Sequence, residues 1–251
     1  MVYGVFSDVH SNMEALTAVL DFFEDFEVDG YICCGDMVGY GPEPEETVQR
    51  IRKLKNLHCI IGNHDLAVVG LMDVEWFNPY AKAAALWSRD TISMETKHWL
   101  QSLTAKIERP DFTVVHGTPR KPPEEYLLSA AQFKDNMPLV HVWPLFVGHS
   151  HMPLCFRVNK DEPLGIETMI LEDHQQVEIQ RMPYGIVPTA FNPGSAGQPR
   201  DQDKRASCAL FDSDKGTFRI IRLNYDITAT QNKIRNAGLP EFLALRLAFG
   251  Q

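Results

Sequence analysis

Five short apolar runs in the first 151 residues each lead into a cluster of His, Asp, Asn or Gly, and no other feature restricts the fold so tightly. Val2 to Phe6 is followed by Asp8-Val9-His10, Tyr31 to Cys34 by Gly35-Asp36, and Leu57 to Ile61 by Gly62-Asn63-His64-Asp65. Phe112 to Val115 leads into His116-Gly117, and Leu145 to Val147 into Gly148-His149-Ser150-His151. Apolar runs this short, bounded by turn residues, predict buried strands. Helices fill the first two intervals. Ser11 and Glu14 form a capping box opening a helix to about Phe26, with Leu16, Val19, Leu20 and Phe23 at helical spacing. A second helix carries Glu43, Glu45 and Glu46 near its start and Arg50, Arg52, Lys53 and Lys55 near its end, which complements the helix dipole. Strand–helix alternation with short links predicts a mostly parallel sheet covered by helices.

Asn78-Pro79 predicts the cap and first turn of one long helix through about Leu103, with Trp87 and Trp99 as core anchors. After residue 150 the texture changes. Strand-like runs near 154–158, 166–171, 177–180, 186–191, 206–211 and 217–222 are expected to form or extend a second, largely antiparallel sheet. Asp226 to Gln251 reads as two short helices broken by Gly238 and Pro240. No repeat, linker or low-complexity stretch divides the chain, so residues 1–251 are expected to form a single domain.

Composition narrows what the clusters can serve. A formal charge of −9 argues against a nucleic-acid or membrane-surface binder, since both need a positive footprint. No run approaches 18 apolar residues, and MVYGVFSDVH lacks a basic n-region and a cleavable apolar segment. The expectation is a soluble, cytoplasmic protein. Five cysteines without regular spacing indicate buried reduced thiols, not a disulfide framework or a zinc knuckle.

Residues at the carboxyl ends of strands in an α/β sheet converge in space though they are distant in sequence. Asp8, His10, Asp36, Asn63, His116, His149 and His151 would then meet as oxygen and nitrogen donors with no thiolate. That set suits Mn, Fe, Ni, Co or Zn better than Mg. Seven ligands are too many for one ion and suit two. A pair of divalent cations can clamp a phosphoryl group and ionise a shared water near neutral pH. Their charge outweighs two carboxylates and a hydroxide, so the pocket is positive within an acidic chain. A single strand-end His would read as a satisfied polar cap, but the whole set has no such explanation.

The order D-x-H, G-D, G-N-H-[DE], H and G-H-x-H resembles that of the calcineurin-like metallophosphoesterases, closely over about residues 1–151 and more loosely beyond. The resemblance implies an α/β fold, a four-layer α/β/β/α sandwich with two packed mixed β-sheets. It implies Asp8, His10, Asp36 and His151 on one metal and Asp36, Asn63, His116 and His149 on the other, with Asp36 as the bridge. His64 resembles the leaving-group acid of that family, acting after in-line attack by a metal-bridging hydroxide. Asp65 either orients His64 or caps the next helix.

One departure separates the chain from the protein-phosphatase branches, which resemble G-D-x-x-D-R-G at the second motif. Here Gly39 and Tyr40 stand in place of that Asp and Arg. Losing the Arg removes a bidentate clamp on a doubly charged monoester. This favours the small prokaryotic phosphodiesterase-like branch, with phosphodiesters slightly preferred over monoesters. The alternatives are a phosphomonoesterase acting on nucleotides, dinucleoside polyphosphates or phosphoproteins, and a catalytically silent protein-binding scaffold. The segment Asn192 to Arg200 also resembles that branch, either as a turn offering N–H groups to phosphate or as a crossing between sheets. Arg200 or Arg205 would supply the missing cation. The expected partner is a small phosphoester, not a membrane or nucleic acid, and a homo-oligomer is compatible with these features. His58, His98, His141 and His174 read as surface or structural, and Arg120-Lys121-Pro122-Pro123 as a short basic loop bordering the pocket.

Overall fold

Alternation inside the apolar runs sets the layers of the fold. The computed structural model describes residues 1–183 and 185–251. In chain order the strands are β1 (Val2–Phe6), β2 (Gly30–Cys33), β3 (Leu57–Cys59), β4 (Lys106–Arg109), β5 (Phe112–Val115), β6 (Leu145–Phe146), β7 (Pro153–Val158) and β8 (Ile166–Ile170). There follow β9 (Gln176–Glu178), β10 (Arg181–Met182), β11 (Gly185–Ile186), β12 (Thr189–Pro193), β13 (Ala206–Asp212) and β14 (Thr217–Leu223). Among the described residues one six-stranded sheet has the order β3-β2-β1-β13-β14-β9, and another β4-β5-β6-β12-β7-β8. β10 and β11 form a separate ribbon.

β1, β2 and β3 pair in parallel, and β13 joins β1 antiparallel with Tyr3 opposite Phe211. In the second sheet β5, β6 and β12 are parallel neighbours, and the flanking pairs are antiparallel. Side chains alternate across each strand. Tyr3 and Val5 of β1 meet Phe112, Val114, Phe146 and Phe191 in a layer between the sheets. Phe191 stacks on Phe218 there with centroids 4.3 Å apart. Each such burial is worth roughly 1.5–3 kcal/mol, so this layer holds the two sets of strand ends together.

Helices cover the outer faces. α1 (Met13–Asp25), α2 (Pro44–Ile51), α3 (Asn63–Val68), α4 (Pro79–Thr91) and α5 (Met94–Ser102) pack on the first sheet around Phe6, Cys33 and Leu210. α6 (Ala130–Asn136) sets Phe133 against Val115, Leu145 and Phe156 of the second sheet. α7 (Ile227–Asn236) and α8 (Glu241–Leu245) pack on Ala81 and Ala84 of α4. The layers therefore run α/β/β/α, as the motif resemblance implies. No helix among the described residues is long and apolar enough to cross a membrane.

Four expectations change. The helix expected from Asn78 to Leu103 is two, because Ile92 and Ser93 are extended and the Ser93 hydroxyl caps α5 at Thr96. Trp87 and Trp99 are half-buried at the edge of the core, not inside it. α1 is capped by Asn12, whose side chain accepts from the Ala15 N–H. Glu14 reaches Thr230 on α7 instead, so the Ser11–Glu14 box does not form. Finally, the late strands do not share one sheet: β9, β13 and β14 complete the first, while β7, β8 and β12 belong to the second. All five cysteines are buried and free among the described residues.

Candidate metal centre and active site

All seven expected ligands follow a strand within five residues, at the carboxyl ends of β1, β2, β3, β5 and β6. Five of them, Asp8, His10, Asp36, His149 and His151, have left-handed backbone with φ of 53°, 50°, 53°, 67° and 60°. For residues other than Gly this costs roughly 1–2 kcal/mol each. Backbone bonds between neighbouring loops hold the strain: Asp8 N–H donates to Gly35 O at 3.0 Å and His10 N–H to Asp36 O at 3.1 Å. His149 N–H donates to the Asp8 carboxylate at 3.1 Å.

The Asn192 to Arg200 segment ties these loops together. Ser195 Oγ donates to Asp8 O at 2.7 Å, and Asn192 Nδ2 to Gly148 O at 2.6 Å. The N–H groups of Ala196 and Gly197 donate to Ser7 O and Asp8 O. Those of Gly194 and Gln198 donate to the side chains of Asn192 and Ser195. With these groups engaged inside the protein, the segment is a crossing and not a phosphate cradle.

The imidazoles are oriented from behind. His10 Nδ1 donates to Val38 O at 3.0 Å, His116 Nδ1 to Cys34 O at 2.7 Å and His151 Nδ1 to Gln198 O at 2.6 Å. A carbonyl only accepts, so each Nδ1 carries the hydrogen and each Nε2 is turned toward the centre. His149 is reversed, with Nε2 donating to Glu124 O at 3.2 Å. Two clusters result. Asp8, His10 and His151 bring ligand atoms within 4.8 Å of one another, as do Asp36, His116 and His149. Asn63 Oδ1 lies 3.0 Å from His116 Nε2 and so joins the second. Asp36 Oδ2 lies 3.2 Å from His116 Nε2 and 3.8 Å from His10 Nε2, which puts one oxygen beside both clusters.

Two observations test whether this set fits cations. His10 Nε2 and His151 Nε2 are 3.1 Å apart in stacked, buried rings, so two lone pairs face each other with nothing to share. Asp36 Oδ2 is buried without a hydrogen-bond partner of good geometry among the described residues. Both arrangements are costly alone and favourable around a positive ion. The donors fit two divalent cations.

Burial governs the protons. It holds His10 and His151 well below the ordinary imidazole range and His149 at about 3, leaving all three neutral as ligation requires. Asp8 is pushed up to about 7 by the same desolvation. At Asp36 burial acts in the same direction, but the imidazoles of His116 and His64 outweigh it and hold the carboxyl far below normal. At His116 the signs reverse: burial lowers its pKa, yet Asp36 pushes it up to about 10.

His64 sits among rings, 4.5 Å from those of Tyr40 and Phe77 and 4.8 Å from that of His10. Its Nδ1 is buried without a partner among the described residues, against Gly39. Gly39 has φ +87°, and a Cβ there would come within 2.7 Å of that nitrogen. Asp65 does not orient His64. Its Oδ1 accepts from the Met37 and Val38 N–H groups and its Oδ2 from Gly62 N–H, so it caps α3 and pins the β2 loop. Burial lowers His64 to about 4, with Arg200 adding to the effect and Asp36 opposing it.

Arg200 lies beside Tyr40: its Nη2 donates to Gln198 Oε1 at 2.9 Å and to the Tyr40 hydroxyl at 3.4 Å. Arg205 is instead bound to Asp203 and Asp173. His98, His141 and His174 are exposed, and His58 packs on Phe112 in β3. A cleft of about 830 Å³ opens on Asn63, His64 and His149, with Lys121 and Pro123 of the basic loop in its wall. Phe77, Trp76 and Tyr126 also line it, and no motif in the sequence marks them.

A family model described as the calcineurin-like phosphoesterase superfamily domain matches residues 1–216. The chain belongs to the calcineurin-like phosphoesterase superfamily. It is accordingly a metal-dependent phosphoric ester hydrolase. A metallophosphoesterase from Sphaerobacter thermophilus of known crystal structure is 39% identical, with 100% of this chain and 99% of that one covered and a TM-score of 0.89. An uncharacterized protein of Methanocaldococcus jannaschii is 37% identical over 99% of this phosphoesterase and 98% of its own length. A symmetrical bis(5′-nucleosyl)-tetraphosphatase of Vibrio vulnificus is 30% identical over 95 residues, 37% of this chain and 35% of that protein.

Proposed function

We propose that this phosphoesterase hydrolyses small phosphoesters, phosphodiesters in slight preference to monoesters, at a centre of two divalent cations. Asp8, His10, Asp36 and His151 hold one, and Asp36, Asn63, His116 and His149 the other. The observation that carries this reading is the pair of facing Nε2 atoms of His10 and His151, 3.1 Å apart beside two buried carboxylates. Such cations supply Lewis acidity toward phosphoryl oxygens and acidify water. Mn, Fe, Ni, Co and Zn all suit the donors.

The chain's own residues do the rest. His64 lines the cleft, and with Nδ1 buried against Gly39 only Nε2 can meet a ligand. From there it protonates the leaving oxygen. A phosphate's negative charge beside the ring favours the imidazolium that burial alone disfavours. Arg200, whose charge acts on Asp8, His10, His64 and His151, contributes a cation toward the phosphate. Diester preference rests on Gly39-Tyr40, which offers no bidentate clamp for a second phosphate charge. The partial identity with the Vibrio tetraphosphatase favours a second reading, cleavage of a nucleotide polyphosphate or monoester.

Elemental analysis beside a panel of bis-p-nitrophenyl phosphate, p-nitrophenyl phosphate and diadenosine tetraphosphate, with Mn or Ni added, tests both. Metal-dependent turnover led by the diester supports the first reading; turnover led by the polyphosphate supports the second. Asp36→Asn should lose metal and activity together. His64→Asn should keep its metal yet lose about 10²–10⁴ in kcat for poor leaving groups and much less for nitrophenol. Equal losses would remove His64 from the acid role, and no turnover with any metal would sink the proposal.

A further inference from the structure

The wall of the cleft contains more apolar surface than ester cleavage requires. Leu71 is 61% exposed and Trp76 is 87% exposed, whereas side chains of this size are usually covered. Trp76 adjoins Phe77, whose ring packs 4.5 Å from His64. Tyr126 stacks on His149 with centroids 3.8 Å apart and planes 12° apart. Ring surfaces thus lie beside both histidines that open on the cleft. Phe77 and Tyr126 have work to do as packing for His64 and His149. Trp76 has none.

We propose that this cleft binds the planar base of a nucleoside joined to the scissile phosphate, and that Trp76 stacks on that base. The proposal rests on the phosphoester reading of the adjoining centre and names its substrate class. The volume, about 830 Å³, lies within the range that holds small organic ligands. The lining mixes ring and aliphatic surface with polar side chains, Asp73, Asn78 and Glu124 among them, which suits a flat heterocycle that stacks by its faces and meets polar groups at its edge. An alkyl group would fill the space but gain nothing from ring faces. Lys121, exposed in the same wall, brings a cation for phosphate carried by the nucleoside.

Adenosine 5′-monophosphate and ribose 5-phosphate differ only in the base, so their inhibition of bis-p-nitrophenyl phosphate turnover isolates the subsite. AMP should inhibit at about tenfold lower concentration or better, the usual effect of one base–aromatic stack. Trp76→Ala should bring the two constants within about twofold of each other, and Trp76→Phe should retain most of the difference. Equal inhibition of the wild type by both compounds would overturn the proposal. So would an unchanged ratio in Trp76→Ala accompanied by altered sedimentation, which would assign the patch to contact between copies. Tryptophan fluorescence of the metal-loaded protein gives a readout without turnover. Quenching by AMP that exceeds that by ribose 5-phosphate, in a protein that hydrolyses no phosphoester, would support the base site while sinking the hydrolase reading.

Discussion

At the scale of single residues, His64 is positioned by the side chain that Gly39 lacks. With no carboxylate on Nδ1, the ring is held by Tyr40 and Phe77, and its back edge fits only against a residue without Cβ. Gly39→Ala adds an atom 2.7 Å from that nitrogen at a φ of +87°. We expect kcat to fall by about tenfold or more while metal content stays near that of the wild type, since a small misplacement of a catalytic group costs that much. Unchanged kcat would show that the ring finds its place without this contact. His116 supports a second expectation. Pushed up to about 10, it holds a proton at neutral pH that a metal must expel. Metal uptake near neutral pH should therefore release protons, and affinity should weaken as pH falls. Calorimetry in buffers of different ionisation enthalpy reads the proton count directly; a count of zero would contradict the charge assigned to His116.

At the scale of elements, the break between α4 and α5 depends on a residue far away in sequence. Glu45 of α2 accepts from Ser93 N–H at 2.9 Å, Thr96 Oγ1 at 2.8 Å and Gln49 Nε2 at 3.0 Å. Burial pushes its pKa up, but these donors prevail and hold it below normal. A depressed carboxyl stabilises the fold above its unfolded pKa and loses that contribution as pH falls through the folded value. Glu45→Gln should thus cost about 1 kcal/mol at neutral pH, given its partial exposure, with the gap from wild type closing in acid. Urea unfolding at neutral and acid pH measures the difference, and a gap independent of pH would remove Glu45 from this role. The same long-range contact explains why the break was not legible: Ser93 caps α5 locally, and Glu45 adds acceptors for Ser93 and Thr96 from a distant part of the sequence. The two clusters of candidate ligands were legible because such chemistry demands fixed residue types at each strand end. Sheet membership of β13 and β14 was not, since alternation reports which face is buried and not which neighbour a strand takes. Trp76 and Tyr126 left no pattern because a cleft wall needs only ring surface.

At the scale of the whole molecule, two layers with different tasks meet at the strand ends. The layer between the sheets is apolar and closed by aromatic contacts, so it does not depend on cations. The loops beyond it contain strained backbone, facing imidazoles and a buried carboxylate oxygen that a cation would relieve. Metal binding should therefore stabilise the loops first and the fold through them. A ligand at about a hundred times its Kd adds about 2.7 kcal/mol, which for a chain of this size raises Tm by about 5–10 °C. Hydrogen exchange with and without chelator should locate that effect: amides at 8–12, 35–41 and 148–152 should lose protection on metal removal. Those of β1, β13 and β14 should change little at temperatures below the transition. Uniform loss of protection across both sheets would mean that the cations hold up the core itself, and the division of labour between layers would fail.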